Sequence, residues 1–136
     1  MARILAIDYG SKRIGIAVTD PGQIIAGGLT TVHSKDVMAF LSDYLLKEEI
    51  ECFVVGEPKQ MNNKPSQSAE MIGVFVNDLK KKFPGIAIEK VDERFTSVIA
   101  SRAMLNGGLK KKDRQNKALI DKISATLILQ AYLESK

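Results

Sequence analysis

The chain has 136 residues, of which 45% are hydrophobic and 26% charged, and its formal net charge is +4. This length and balance predict one globular domain over residues 1–136, and the mild positive excess permits a phosphate-rich partner without requiring one. Because Cys52 is the only cysteine, an intrachain disulfide and a cysteine-rich zinc site are excluded.

The first third of the chain predicts three antiparallel strands. Short apolar or β-branched runs alternate with turn signals, and Asp8 ends the first run. The strands are predicted over residues 3–7, 14–19 and 24–32, with turns at 9–12 and 20–22. Because turns this short cannot hold a crossover, consecutive strands must be antiparallel neighbours.

The rest of the chain alternates helices with strands. Ser34 is predicted to cap the first helix and Thr96 the third, and apolar residues recur at helical spacing. The predicted order is a helix from Ser34, a strand over 52–55 with its exit at 56–58, a loop over 59–66, a helix over 69–83, a strand over 86–91, a helix over 96–106, a basic loop over 109–116 and a final helix to about Leu133. This order predicts an α/β fold: a mixed five-stranded sheet, an antiparallel meander plus parallel strands, flanked by helices.

Three acidic residues occupy positions that suit an active site. Asp8 ends an apolar strand, Glu93 follows the strand over 86–91, and Asp121 lies about one turn inside the final helix. Ligand sites in open α/β sheets gather at the carboxyl ends of strands, so parallel strands would bring Asp8 and Glu93 to one edge. Ser124 and Ala125 are small enough for the last helix to approach that edge and add Asp121.

Each acid also has a purely structural explanation. Asp8 could begin a turn, Glu93 could form a surface ion pair, and Asp121 could favour the positive end of the helix dipole. If they converge, two carboxylates about 4 Å apart repel by roughly 4 kcal/mol at an effective dielectric constant of 20. A hard cation, Mg²⁺ or Mn²⁺, removes that penalty and can catalyse phosphodiester hydrolysis.

Other catalytic machinery fits this sequence poorly. A nucleophilic triad would need His33, the only histidine, which is more simply a polar residue closing a strand. The sequence contains no G-x-x-x-x-G-K-[ST] phosphate loop. Asp8 interrupts the N-terminal apolar run too early for a signal peptide, and no run is long enough to cross a bilayer. We therefore expect a cytoplasmic protein.

Four segments together resemble the YqgF/RuvX family. They are IDYGSKRIGIA at residues 7–17, VVG followed by a proline at 54–58, DERFTS at 92–97 and DKISATLIL at 121–129. The likeness extends in order over nearly the whole chain. That family comprises small bacterial ribonuclease H-like proteins described as pre-16S rRNA nucleases and as Holliday junction resolvases.

The resemblance implies that Asp8, Glu93 and Asp121 are the catalytic acids and that they bind Mg²⁺ or Mn²⁺. It implies a metal-dependent nuclease that acts in 5′-end processing of pre-16S rRNA during ribosome biogenesis. Glu57 departs from the family pattern, which has a small or apolar residue there. In the related RuvC resolvases a further acid follows the fourth strand, so Glu57 could be a fourth ligand, although Pro58 and the polar loop favour an exposed turn.

Basic residues near these acids predict contacts with a nucleic-acid backbone. Lys12 and Arg13 lie close to Asp8 in the sequence. A second group precedes the helix that carries Asp121, namely Lys110, Lys111, Lys112 and Arg114. Such contacts are independent of base sequence and sensitive to salt. A solvated loop is the plainer interpretation of the second group.

The sequence is also compatible with three other functions. A Holliday junction resolvase would use the same site on four-way DNA and would require a homodimer, whereas an RNA nuclease could be a monomer. A non-catalytic RNA-binding assembly factor could keep the fold and the acids. An ATP-binding fold related to actin and sugar kinases shares the D-x-G turn between strands, but it normally needs two such domains and a far longer chain.

Overall fold

The computed structural model describes residues 2–10, 12–57, 67–92 and 117–135. The elements within these ranges are β1 (Arg3–Asp8), β2 (Arg13–Thr19), β3 (Ala26–His33), α1 (Val37–Lys47), β4 (Ile50–Glu57), α2 (Gln67–Lys82), β5 (Ala87–Asp92) and α3 (Lys117–Ser135). None of these three helices is long and apolar enough to cross a membrane. The predicted helix over 96–106 and the predicted loops over 59–66 and 109–116 lie outside the described residues.

The five strands form one mixed sheet in the order β3-β2-β1-β4-β5. β1, β2 and β3 pair antiparallel, as the short turns between them require. β4 and β5 extend the sheet parallel to β1, since a helix precedes each of them and provides the crossover. The predicted mixed five-stranded sheet is therefore confirmed. We call the edge where β1, β4 and β5 end the carboxyl edge, and the edge where they begin the amino edge.

Side chains of the central strands alternate between two apolar layers. On one face, Leu5 and Ile7 of β1 pack with Phe53 of β4 under α1 and α2, and all three are fully buried. On the other face, Ile4 and Ala6 are buried under α3. Because strand side chains alternate with a period of two, a strand covered on both faces needs a continuous apolar run. β1 has such a run, and it lies at the centre of the sheet.

Small residues bring α3 close to the sheet. Ala125 is fully buried in the apolar layer that contains Ala6. Further along the sheet, a Cβ atom added to Gly28 of β3 would lie 2.7 Å from Lys122 Cγ and 3.2 Å from Thr126 Oγ1. Real Cβ atoms do not approach other atoms this closely without a local shift. The close approach expected from Ala125 is therefore confirmed.

The first helix begins later than predicted. A short turn precedes α1, which begins at Val37, so the predicted capping role of Ser34 is wrong. Asp36 occupies the N-cap position without a side-chain hydrogen bond to the helix. The turn closes onto His33 instead, whose carbonyl accepts the Asp36 N–H at 2.9 Å and whose Nδ1 accepts the Lys35 N–H at 3.1 Å.

The third strand also begins later, at Ala26 rather than Ile24. Asp20 Oδ1 accepts the N–H groups of Ile24 and Ile25 at 2.9 and 2.8 Å, which keeps both residues in the turn and out of the ladder. The two isoleucine side chains are 77% and 69% exposed. Their apolar character was therefore a misleading signal for a strand.

The fourth strand is longer than predicted and ends at Glu57. The prediction that residues 56–58 form the exit was wrong for the first two, because Gly56 and Glu57 pair with β5 in the parallel ladder. Cys52 lies in this strand and is 6% exposed, as its apolar neighbours predicted.

Candidate active site

Each of the three parallel strands ends in an acidic residue at the carboxyl edge: Asp8 in β1, Glu57 in β4 and Asp92 in β5. The register places Ile7 beside Val55 and Glu57 beside Asp92. Neighbouring strands lie about 4.8 Å apart, so the three chain positions fall within about 10 Å of one another. The topology thus concentrates acidic positions at one edge of the sheet.

Local packing fixes the main chain at Asp8. The residue is half-buried and pairs with Gly15 of β2. The next residue, Tyr9, packs its ring against Phe75 of α2, with the ring centroids 4.8 Å apart. An aromatic pair at this distance contributes about 0.5–1.5 kcal/mol beyond its area burial. The aromatic contact therefore holds the end of β1 on α2.

The turn after Asp8 requires a glycine. A Cβ atom on Gly10 would lie 2.5 Å from the carbonyl oxygen of Arg13, a distance that no side chain tolerates. The missing Cβ lets the chain return directly into β2. As a result Lys12 and Arg13, both exposed, lie at the same edge as Asp8.

The last helix runs from the carboxyl edge toward the amino edge. Lys122 lies over Gly28 in β3, whereas Leu133, near the end of α3, lines a groove with Ala26 at the beginning of β3. Because β3 runs from Ala26 toward the carboxyl edge, the first turns of α3 lie nearest to that edge. Asp121, one residue before Lys122, belongs to those turns.

The structure describes some of the three predicted catalytic acids. Asp8 ends β1 as predicted, and β1 and β5 end at one edge as the parallel arrangement required. Glu93 follows the last residue of β5 and lies outside the described residues. Asp121 lies in α3, but its side chain is likewise outside the described part. Among the side chains that are described, no three from His, Cys, Asp and Glu are arranged to hold a metal ion.

Only some of the predicted phosphate-binding residues lie within the described part of the chain. Lys12 and Arg13 are at the carboxyl edge, and the second group lies outside the described ranges: Lys110, Lys111, Lys112 and Arg114. Sequence reasoning missed His33 and Lys35, which the pairing of β2 with β3 brings to the same place. The residues are far apart in the chain, so only the strand register could have revealed this.

The predicted structural role of His33 agrees with its position. It is the last residue of β3, and its Nδ1 accepts a main-chain N–H rather than facing a nucleophile. A nucleophilic triad built on this histidine therefore has no support from the described residues.

Comparison with known proteins identifies the family. A sequence model of the RuvX family, described as Holliday junction resolvase, matches residues 2–135. The chain belongs to the RuvX family. It is 64% identical over its whole length to a Phocaeicola vulgatus protein named "Putative pre-16S rRNA nuclease", of which it covers 98%. A Flavobacterium psychrophilum protein of the same name is 61% identical, and the alignment covers 100% of this chain and 99% of that protein.

Solved structures agree on the fold. The RuvX chain resembles Thermus thermophilus RuvC bound to a Holliday junction substrate, with a TM-score of 0.59 and 16% identity over 99% of this chain and 98% of that one. A second RuvC structure from the same organism gives a TM-score of 0.51 and 14% identity, covering 97% and 96% of the two chains. The ribonuclease H-like fold predicted from the sequence is thereby confirmed.

Proposed function

We propose that this RuvX chain is a divalent-metal-dependent nuclease that hydrolyses phosphodiester bonds and processes the 5′ end of pre-16S rRNA in the cytoplasm. The observation that carries the proposal is the gathering of acidic strand ends, Asp8 among them, at one edge of a RuvC-like sheet. The name of its relatives supports RNA as the substrate. We treat residues 1–136 as one nuclease domain, which acts on RNA as a monomer or a homodimer.

The donor chemistry at the carboxyl edge fits a hard divalent cation. Carboxylate oxygens are the ligands that Mg²⁺ and Mn²⁺ prefer, and Asp8, Glu93 and Asp121 would hold the metal. A bound metal supplies Lewis acidity at the phosphate and relieves the repulsion among the carboxylates. Glu57 is the last residue of β4, at the same end of the sheet as Asp8, and would be the candidate for a fourth ligand.

The protein itself positions the acids and the substrate. The Tyr9–Phe75 contact and the Gly10 turn hold Asp8 in place, so its carboxylate needs little reorganisation when substrate binds. Basic residues would bind phosphates of the substrate: Lys12, Arg13, Lys110, Lys111, Lys112 and Arg114. Such contacts align the backbone without reading the bases.

A Holliday junction resolvase is the second candidate. It is favoured by the description of the family model and by the likeness in fold to RuvC. A resolvase must cut two strands of a four-way junction, so this function would require a homodimer with two carboxyl edges. The chemistry at each edge would be the same, and the preferred substrate separates the two functions.

The experiment compares cleavage of labelled pre-16S rRNA and of a four-way DNA junction by the wild type and the Asp8→Asn variant. Each reaction is run with Mn²⁺, with Mg²⁺ and with EDTA. Asp43, an exposed residue of α1, provides a matched control in Asp43→Asn. We expect Asp8→Asn to lose more than about 100-fold in cleavage rate, because changes in the second shell of a metal site already cost about 10–100-fold.

The outcomes separate the candidates. Metal-dependent cutting of the rRNA that disappears in Asp8→Asn and survives in Asp43→Asn supports the RNA nuclease. The same pattern on the junction alone supports the resolvase. Cutting that survives Asp8→Asn contradicts the proposed site. Binding without cutting under every metal condition contradicts the nuclease and favours an RNA-binding assembly factor.

A further inference from the structure

Two distant chain segments meet in one corner of the carboxyl edge. Arg13 of β2 is the register partner of His33 of β3, and the Ser34 N–H donates to the Lys12 carbonyl at 3.0 Å. The Lys35 N–H donates in turn to His33 Nδ1 at 3.1 Å. We call residues 12–13 and 33–35 the β2–β3 corner. These main-chain and side-chain hydrogen bonds give the corner a defined shape.

The β2–β3 corner carries a concentration of exposed basic side chains. Lys12, Arg13, His33 and Lys35 are all exposed, and the acidic residue Asp36 follows the corner directly in the chain. Because Nδ1 of His33 accepts a hydrogen bond, a neutral imidazole carries its proton on Nε2, which is then a donor. Ammonium, guanidinium and imidazole groups can all donate hydrogen bonds to phosphate oxygens.

The β2–β3 corner lies on one defined side of Asp8. Asp8 pairs with Gly15 of β2, and Arg13 lies two residues further toward the carboxyl edge. At about 3.3 Å per strand residue, Arg13 is roughly 7 Å beyond the Asp8 pair. The corner therefore lies beside Asp8 on the side of β2 and β3, opposite to the side on which Glu57 and Asp92 end their strands.

We propose that the β2–β3 corner binds the sugar-phosphate backbone of the nucleic-acid strand that leaves Asp8 across the ends of β2 and β3. Lys35 and His33 are the new members of this surface, and they join Lys12 and Arg13 on it. The proposal rests on the proposed nuclease function, because it gives the path of that substrate. The contacts recognise phosphate and are independent of base sequence.

Salt dependence of binding tests the corner separately from catalysis. We would measure the affinity for a labelled single-stranded RNA from the pre-16S 5′ region, in EDTA, for the wild type, Lys35→Gln and the double variant Lys12→Gln/Lys35→Gln. Lys47, exposed at the amino-edge end of α1, supplies the matched control Lys47→Gln. Each lost single-strand contact lowers the slope of log K against log salt by about 0.7, which is about five-fold in affinity at 0.1 M salt.

We expect Lys35→Gln to lose one contact, the double variant two, and Lys47→Gln none. Equal slopes for Lys35→Gln, Lys47→Gln and the wild type would overturn the proposal. Wild-type protein that binds RNA with the predicted slopes but never cuts it would contradict the proposed function and leave the corner in place. Cutting that depends on Asp8, together with equal salt slopes for the wild type and Lys35→Gln, would support the proposed function and contradict binding at the corner.

Cross-linking tests the direction of the strand. Cys52 is the only cysteine and is buried, so Lys35→Cys introduces one accessible thiol for a photoreactive label. The matched control is Lys47→Cys with the same label. We expect cross-links from position 35 to nucleotides on one side of the cleavage point and at least five-fold fewer from position 47. Equal cross-linking from the two positions would contradict the proposed path.

Discussion

The two edges of the sheet use polar residues differently. At the amino edge the described polar groups bind one another: Arg3 Nε lies 3.2 Å from Glu48 Oε2, and Arg3 Nη1 donates to the Thr19 carbonyl at 2.9 Å. The Thr19 hydroxyl accepts the Ile4 N–H at 3.0 Å, and the Asp20 carboxylate accepts three main-chain N–H groups. These contacts close strand ends and a turn, which are structural tasks.

At the carboxyl edge, the strand topology brings charged residues close together instead. The parallel strands end in Asp8, Glu57 and Asp92, and the β2–β3 corner adds exposed cations beside them. Acidic and basic side chains at the ends of parallel strands are suited to bind a metal ion together with a phosphate group. Changes at the amino edge should therefore alter stability, and changes at the carboxyl edge should alter activity.

Of two substitutions at the amino edge, the one at Thr19 should lower the free energy of unfolding more. This side chain is fully buried, and Thr19→Val removes the acceptor of the Ile4 N–H without changing the shape of the residue much. A buried donor without a partner destabilises a protein by about 1–3 kcal/mol. We expect that loss in the free energy of unfolding, measured by urea denaturation, and no change in cleavage rate per folded molecule.

Thr19→Ser is the control, because it keeps the hydroxyl and loses one methyl group. The serine variant should lose less stability than the valine variant. A valine variant as stable as the wild type would contradict the structural role of this hydroxyl. A lower cleavage rate in the folded valine variant would contradict the separation between the two edges.

The smaller effect concerns Asp20 and depends on pH. The N–H of Ile25, followed by that of Ile24, holds the pKa of Asp20 below its ordinary value of 3.8. A carboxyl group with a lowered pKa in the folded state stabilises the fold above its unfolded pKa and loses this effect as the pH falls through the folded pKa. Thermal unfolding should therefore show Asp20→Ala less stable than the wild type at neutral pH, with a difference that shrinks below pH 3.8. A difference that is constant or grows on acidification would contradict this assignment.

Much of the fold could be predicted from the sequence because its signals are local. Apolar runs, turn residues and short connections predicted the meander and the parallel strands, and an acid after an apolar run drew attention to Asp8. The starts of β3 and α1 could not be predicted, because they depend on hydrogen bonds from main-chain N–H groups to Asp20 and His33. No apolar pattern encodes such bonds.

The candidate site was predictable only in part for a similar reason. Asp8 is marked by its neighbours in the chain, whereas the proximity of residues 12–13 to residues 33–35 depends on the register between β2 and β3. The strand end at Glu57 was missed because glycine and proline beside it resemble a turn. Pairing with β5 holds Gly56 in the ladder, and pairing across strands is not visible in a single segment.

If the carboxyl edge binds a divalent metal through Asp8, the metal must stabilise the folded protein and Asp8→Asn must remove that stabilisation. The measurement is the thermal unfolding of the wild type, Asp8→Asn and Asp43→Asn in EDTA and over a Mn²⁺ titration. A metal at 100 times its dissociation constant stabilises the folded state by about 2.7 kcal/mol. We expect this stabilisation in the wild type and Asp43→Asn, and its loss in Asp8→Asn. Equal stabilisation of all three proteins by Mn²⁺ would contradict it.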